Sequence, residues 1–70
     1  MDSSRLIDMV NQIARNLAAQ GEAEAVEATA RHLRDFWDPR MRAAILKADR
    51  STLDPVAARA LDRLEALPQP

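Results

Sequence analysis

Apolar residues recur along this chain at the three- and four-residue spacing of amphipathic helices, and no segment alternates apolar and polar residues over the length of a strand. Four segments with this helical spacing follow one another. The pattern therefore predicts an all-α fold, a small three- to four-helix bundle that spans residues 1–70 as a single domain.

The first two predicted helices are separated by the only glycine of the chain. Helix 1 begins after Ser3 or Ser4, which are good N-cap residues, and Gly21 ends it. Its predicted apolar stripe contains Leu6, Met9, Val10, Ile13 and Leu17. Helix 2 is expected to end near Trp37, because Pro39 disfavours helical geometry in the residue before it. Its predicted apolar face contains Val26, Thr29, Ala30, Leu33 and Trp37.

Two Asp-Pro pairs predict the remaining helix starts. In each pair the aspartate is expected to cap the helix and the proline to occupy the first helical position. Asp38-Pro39 opens a short helix 3 that ends near Asp49. Asp54-Pro55 opens helix 4, which ends near Leu67. The connection of residues 50–53 contains no residue that fixes its geometry, which leaves open that the C-terminal helix packs on a partner.

Composition limits how much core this chain can build. A chain of 70 residues buries only about 60% of the surface that its unfolded form exposes. The hydrophobic set includes 14 alanines, which contribute little buried area. We therefore expect the fold to need a stabilising partner.

The residue types that carry most enzyme chemistry are scarce. The chain has no cysteine and one histidine, which excludes disulfides, thiolate metal sites and multi-histidine metal sites. It has no glycine-rich phosphate loop, no Glu-x-x-His and no nucleophile elbow. We therefore expect a chain that is not an enzyme and has no catalytic, cofactor-binding or metal-binding residue.

Neither a membrane nor nucleic acid is an expected partner. The N-terminal residues lack the apolar run of a secretory signal, and the longest unbroken apolar run, residues 43–46, is too short to cross a membrane. The net charge of -1 removes the broad positive field on which non-specific nucleic-acid binding depends. A soluble cytoplasmic protein is the expectation.

The segment RHLRDFWDPRMR, from Arg31 to Arg42, is the densest in candidate chemistry. It contains four arginines, the only histidine, and the only phenylalanine and tryptophan of the chain. One interpretation makes Trp37 the core anchor of a small bundle, with arginines covering it. A second makes the segment a protein interface, since tryptophan and arginine are enriched at interface hot spots. A third makes helices 2 and 3 a helix-turn-helix that binds nucleic acid.

The two adjacent aromatic residues cannot share one face of a helix. Phe36 lies about 80 to 100° from Trp37 around the helix axis, on the flank of Thr29 and His32. If Trp37 faces the core, Phe36 and His32 face outward. This geometry leaves the core-anchor and protein-interface interpretations open, and the net charge disfavours the third.

Three strings in the sequence resemble one family. They are NQIA at residues 11–14, HLRDFWDPRMR at residues 32–42, and Leu53-x-Pro55 followed by Val56, Ala60, Leu61 and Leu64. With these strings the chain resembles the delta subunit of the soluble, molybdenum-containing, NAD-dependent formate dehydrogenase. The resemblance covers about residues 6–64.

The resemblance implies a non-catalytic accessory subunit that stabilises the complex or assists its assembly and cofactor maturation. It implies that the catalytic (alpha) subunit binds bis-molybdopterin guanine dinucleotide and iron-sulfur clusters. FMN and NAD would be bound by other subunits, and no cofactor by this chain. The expected partners are the catalytic subunit and the wider hetero-oligomer. The alternative is a free-standing helical module that binds another protein or nucleic acid.

The predicted partner-contact residues lie mainly at the corner between helices 2 and 3. They are His32, Arg34, Phe36, Trp37, Asp38, Pro39, Arg40, Met41 and Arg42. Asn11 and Gln12, expected to be exposed beside the helix 1 stripe, are secondary candidates. The arginines would pair with acidic groups or carbonyls of the partner. Trp37 would act partly by holding its neighbours in place.

Overall fold

The computed structural model describes residues 3–68, which form helices and turns without any strand. The helices are α1 Ser3–Leu17, α2 Glu22–Phe36, α3 Pro39–Lys47 and α4 Pro55–Ala66. Short 3₁₀ turns precede α2 and α4, at Ala18–Gln20 and Arg50–Thr52. The predicted all-α class is confirmed. Residues 1, 2, 69 and 70 of the predicted domain lie outside the described part.

The turn between α1 and α2 depends on a glycine conformation. Gly21 has a φ of 95°, which side-chain-bearing residues rarely adopt, and it is the only described residue with a positive φ. Its carbonyl accepts the first bond of α2, from the Ala25 N–H at 2.8 Å. Gly21 therefore ends the 3₁₀ turn after α1 and begins α2, as the sequence predicts.

The two Asp-Pro pairs start helices in different ways. Asp38 is an N-cap whose carboxylate accepts a hydrogen bond from the Met41 N–H at 2.8 Å, as predicted. Asp54 also precedes a helix, but its side chain makes no cap hydrogen bond. Its Oδ2 lies 2.8 Å from Nε of Arg15 in α1 instead. The predicted side-chain cap at Asp54 is wrong because a guanidinium from another helix takes the carboxylate.

The core lies among all four helices, and α2 packs most extensively against α4. The buried face of α4 is Ala57, Ala60, Leu61 and Leu64. Trp37, Leu33 and Ile45 belong to the same hydrophobic cluster as these leucines. The C-terminal helix is thus packed within the chain. No helix of residues 3–68 is long and apolar enough to cross a membrane.

The apolar stripe of α1 is rotated from the predicted one. Met9 is 38% exposed, and Ile13 and Leu17 are only half-buried. The buried residues of α1 are Leu6, Ile7, Val10, Asn11 and Ala14. The rotation brings Asn11 into the interior, where it bonds to the chain before α4, and this contact is not encoded in the local hydrophobic pattern.

Candidate protein-contact surface

The corner between α2 and α3 directs two consecutive aromatic side chains in opposite directions. α2 ends at Phe36, and Trp37 has extended backbone with φ of -88° and ψ of 141°. The Trp37 side chain enters the core and is 6% exposed, whereas Phe36 is 76% exposed. The prediction that Trp37 faces the core while Phe36 faces outward is confirmed.

Phe36 stands beside His32, one helical turn earlier. Their ring centroids are 5.0 Å apart with an interplanar angle of 40°. Both residues line a shallow groove of about 470 Å³ on the side of α2 that faces the end of α1. The other lining residues are Leu17, Gln20, Glu24, Ala28, Arg31 and Asp35. The largest exposed apolar side chain of the described chain therefore borders a groove with charged residues around it.

The guanidinium of Arg42 makes hydrogen bonds within the chain. Its Nη1 donates hydrogen bonds to the backbone carbonyl of Arg34, at 3.1 Å, and to that of Trp37. These carbonyls lie at the C-terminal end of α2, where no further helical N–H groups are available. Arg42 therefore closes α2 and fastens α3 to it. This differs from the prediction that Arg42 pairs with a partner.

The other two predicted contact arginines, Arg34 and Arg40, differ in whether their guanidinium groups have partners within the described chain. Arg34 donates from Nε to the carboxylate of Asp35 at 2.9 Å, and its side chain is 26% exposed. Arg40 is exposed and makes no hydrogen bond or ion pair with residues 3–68. Of the arginines in the predicted contact set, Arg40 is thus the one whose guanidinium has no partner within the described chain.

The remaining residues of the corner contribute mainly to its backbone geometry and to core packing, and less to the exposed surface. Asp38 and Pro39 are exposed and form the cap and first residue of α3. Met41 is half-buried and packs against the core. These positions hold Phe36 and Arg40 on either side of a fixed turn.

Asn11 is a structural residue of the interior. It is 7% exposed, and its Nδ2 donates to the carbonyl of Thr52 at 3.2 Å. Its Oδ1 accepts from the N–H of Asp54 at 2.8 Å. The expectation that Asn11 is exposed is wrong, because both ends of its amide bind backbone before α4. Gln12 is exposed, as expected.

Ion pairs on the opposite side of α2 join it to α4. Glu27 accepts from Nε of Arg63 at 2.7 Å and lies 3.5 Å from Nε of Arg31. The hydrogen bond from Arg63 holds the pKa of Glu27 below its ordinary value. Glu22 pairs with Arg59 of α4. The carboxylates on this side of α2 are therefore occupied within the chain.

Sequence reasoning did not include Lys47 among the candidate residues. It is exposed at the end of α3, and it makes no ion pair with residues 3–68. The signal was present in the sequence, since a spacing of seven residues places Lys47 on the same helix face as Arg40. Among the described residues, no group of three or more histidine, aspartate or glutamate side chains is placed to hold a metal ion.

A comparison with known protein families matches most of this chain. Residues 5–61 match the family model described as NADH-dependant formate dehydrogenase delta subunit FdsD. No curated protein and no solved structure matches the chain. The matched residues include all of α2 and α3 and the greater part of α1. The surface described above lies within them.

Proposed function

The chain belongs to the FdsD family of NADH-dependent formate dehydrogenase delta subunits, and from this premise we propose that it is a non-catalytic accessory subunit of such a complex. It stabilises the assembled complex by binding the catalytic (alpha) subunit through the α2–α3 corner. The molybdenum cofactor, iron-sulfur clusters, FMN and NAD belong to the other subunits under this proposal.

The exposure of Phe36 is the single observation that supports docking at the corner. A phenylalanine that is 76% exposed leaves most of its apolar surface in water. Burial of apolar surface stabilises by roughly 25 cal/mol per Å², so covering this ring favours association. Large aromatic side chains are enriched in the buried centres of protein interfaces. Phe36 is therefore the proposed anchor of the contact.

The rest of the corner divides into contact residues and supporting residues. His32 extends the apolar surface of Phe36 through their ring contact. Arg40 has an unpaired guanidinium that suits a carboxylate or carbonyl of the partner. Trp37 and Arg42 fix the direction of the corner from inside. Because this surface is already folded, docking requires little ordering of the backbone.

Copurification tests the proposal with one variant and one matched control. The tagged chain is expressed together with the other formate dehydrogenase subunits of its own organism. Phe36→Ala is expected to lower recovery of those subunits at least tenfold, the loss typical of an interface hot spot. Met9→Ala removes the other exposed large apolar side chain, which does not line the groove, and is expected to retain them.

Folding of each variant is checked by circular dichroism and thermal melting. Because Phe36 is exposed, its replacement should change stability by no more than about 0.5 kcal/mol. Recovery of the complex by folded Phe36→Ala at wild-type yield would exclude the corner as the docking surface. If the wild-type chain recovers no formate dehydrogenase subunit, the accessory role itself is wrong.

A further inference from the structure

The outer face of α3 carries positive charge without any neighbouring acid on the helix. The sequence of α3, PRMRAAILK, contains three basic residues and no acidic one. Arg42 is bound to carbonyls of the corner. The exposed residues Arg40, Ala43 and Lys47 are spaced so that they lie within about 60° around the helix axis. We call these three residues the α3 outer face.

Arg40 and Lys47, the two cations of this face, lack the ion pairs that most other basic residues of the described chain make. Within residues 3–68, the basic side chains with a carboxylate partner are Arg15, Arg31, Arg34, Arg50, Arg59 and Arg63. Arg42 bonds to backbone carbonyls. Arg5, Arg40 and Lys47 make no ion pair with the described chain. Two of these three unpaired cations therefore lie on the α3 outer face.

The geometry of the face suits a partner element that lies across α3. Arg40 and Lys47 are about 10 Å apart along the helix axis, at a rise of about 1.5 Å per residue. Ala43 lies between them and leaves the backbone of α3 open to close approach. Phe36 is just before the corner at which α3 begins. Only residues 37 and 38 separate Phe36 from the start of α3, so a partner that covers Phe36 is within a short distance of Arg40.

We propose that the α3 outer face binds an acidic segment of the catalytic subunit of formate dehydrogenase, adjacent to the site that covers Phe36. This inference rests on the function proposed above and adds the chemistry of the partner: carboxylates that pair with Arg40 and Lys47. Such charges act mainly on the rate of association, because they attract an acidic surface before the short-range contacts form.

Carboxylates suit this face better than the phosphates of a nucleic acid. Two cations that neutralise two phosphates account for only a shallow salt dependence, whereas proteins that bind duplexes usually make six or more phosphate contacts. The net charge of -1 adds repulsion from a nucleic acid. An acidic protein segment needs only a local match to Arg40 and Lys47.

Association kinetics test the proposal directly. The full chain is immobilised, and the catalytic subunit, prepared from cells that lack the chain, is passed over it at about 0.05 M and 0.5 M salt. For wild type, we expect the association rate to fall with salt, because the Debye length shrinks from roughly 14 Å to about 4 Å. Arg40→Gln combined with Lys47→Gln removes both cations and should lower the association rate at low salt about tenfold and abolish its salt dependence.

A matched variant controls for net charge. Arg5→Glu replaces an exposed arginine in the first turn of α1 that makes no ion pair with residues 3–68, and it changes net charge by -2, the same amount as the double α3 variant. Glutamate suits the positive end of the α1 dipole, and Arg40 and Lys47 are exposed, so none of these substitutions should unfold the chain. Arg5→Glu is expected to change the association rate less than about twofold, because Arg5 is not part of the proposed contact.

Failure of this inference is distinguishable from failure of the proposed function. If Phe36→Ala weakens binding but the α3 variant associates at the wild-type rate with wild-type salt dependence, the α3 outer face is not the contact. If Arg5→Glu lowered the association rate as much as the α3 variant does, the inference would likewise be overturned. Binding of the wild-type chain to itself or to a duplex, and to no formate dehydrogenase subunit, would overturn both proposals. These two outcomes are checked by sedimentation and by a duplex-binding titration.

Discussion

The guanidinium of Arg42 donates a hydrogen bond to the backbone carbonyl of Trp37, across the corner that joins α2 to α3. The same nitrogen atom also bonds to the carbonyl of Arg34. A single side chain from the first turn of α3 therefore satisfies the end of α2 and fixes the direction in which Phe36 leaves the helix. The direction of the corner is therefore fixed by hydrogen bonds within the chain.

Replacement of Arg42 by alanine is expected to destabilise the chain. It leaves two part-buried carbonyls without their charged donor, a loss of roughly 1–3 kcal/mol in the free energy of unfolding. Urea unfolding followed by the fluorescence of Trp37, the only tryptophan, measures the change. Arg40→Ala removes an unpaired arginine of the same helix and should stay within about 0.5 kcal/mol of wild type. If the two variants were equally stable, the hydrogen bonds from Arg42 would not stabilise the end of α2.

Asn11 provides a second test of side-chain bonds to backbone. Asn11→Ala should lower the free energy of unfolding by roughly 1–3 kcal/mol, because the part-buried hydrogen bonds to the Thr52 carbonyl and from the Asp54 N–H are both lost. Gln12→Ala, at the adjacent exposed position, is the control and should have little effect. The same urea titration measures the free energy of unfolding. If Asn11→Ala is as stable as wild type, water replaces both hydrogen bonds.

Local sequence rules predicted the helix framework because each rule has a short-range physical cause. Gly21 supplies a positive φ, Asp38 caps its own helix, and Pro39 and Pro55 occupy first helical positions. The outward direction of Phe36 also followed from the helical angle between adjacent residues. These features depend on residues only a few positions apart.

The features that sequence reasoning missed depend on partners far apart in the chain. Asn11 is bound to backbone more than 40 residues later, and no local pattern distinguishes such a residue from an exposed asparagine. Asp54 is the N-cap residue of α4, as predicted, but its carboxylate binds Arg15 of α1 and makes no cap hydrogen bond. Arg42 was assigned to a partner because arginine at a corner suits either role. Tertiary geometry decides all three.

Thr29 carries a hydroxyl that the fold does not use. Its side chain is completely buried, and its Oγ1 has no hydrogen-bond partner. Thr29→Val keeps the shape of the side chain and removes the buried polar group, so we expect a gain of roughly 1–2 kcal/mol in the free energy of unfolding. Thr29→Ser keeps the hydroxyl, removes the methyl group and should destabilise. A loss of stability in the valine variant would indicate a partner for the hydroxyl, such as a bound water.

The ion pair between Glu27 and Arg63 predicts how stability depends on pH. The hydrogen bond from Arg63 lowers the pKa of Glu27 from its ordinary value of 4.5 in the folded chain. The contribution of Glu27 is therefore fully present above the unfolded pKa and is lost as the pH falls through the lower, folded pKa. Glu27→Gln should be less stable than wild type at neutral pH and converge with it as the pH falls below 4.5 and through the folded pKa.

Thermal melts of both proteins between about pH 7 and pH 3 measure this convergence. Arg63→Gln is the control, since it removes the guanidinium that bonds to Glu27. In that background, Glu27→Gln should change the stability little at either pH. A constant gap between Glu27→Gln and wild type over the whole range would show that the Arg63 pair adds no stability.

If the chain stabilises the assembled complex, it should act even when it is added after the other subunits have assembled. Formate dehydrogenase purified from a strain lacking the chain should dissociate more readily on dilution, which size-exclusion chromatography measures. Adding the purified chain should restore the complex, because contacts within the chain fix the corner that carries Phe36. Phe36→Ala, added in the same amount, should restore little of it. If late addition of wild type has no effect while coexpression restores both the complex and its molybdenum content, the chain acts during cofactor maturation rather than in the finished enzyme.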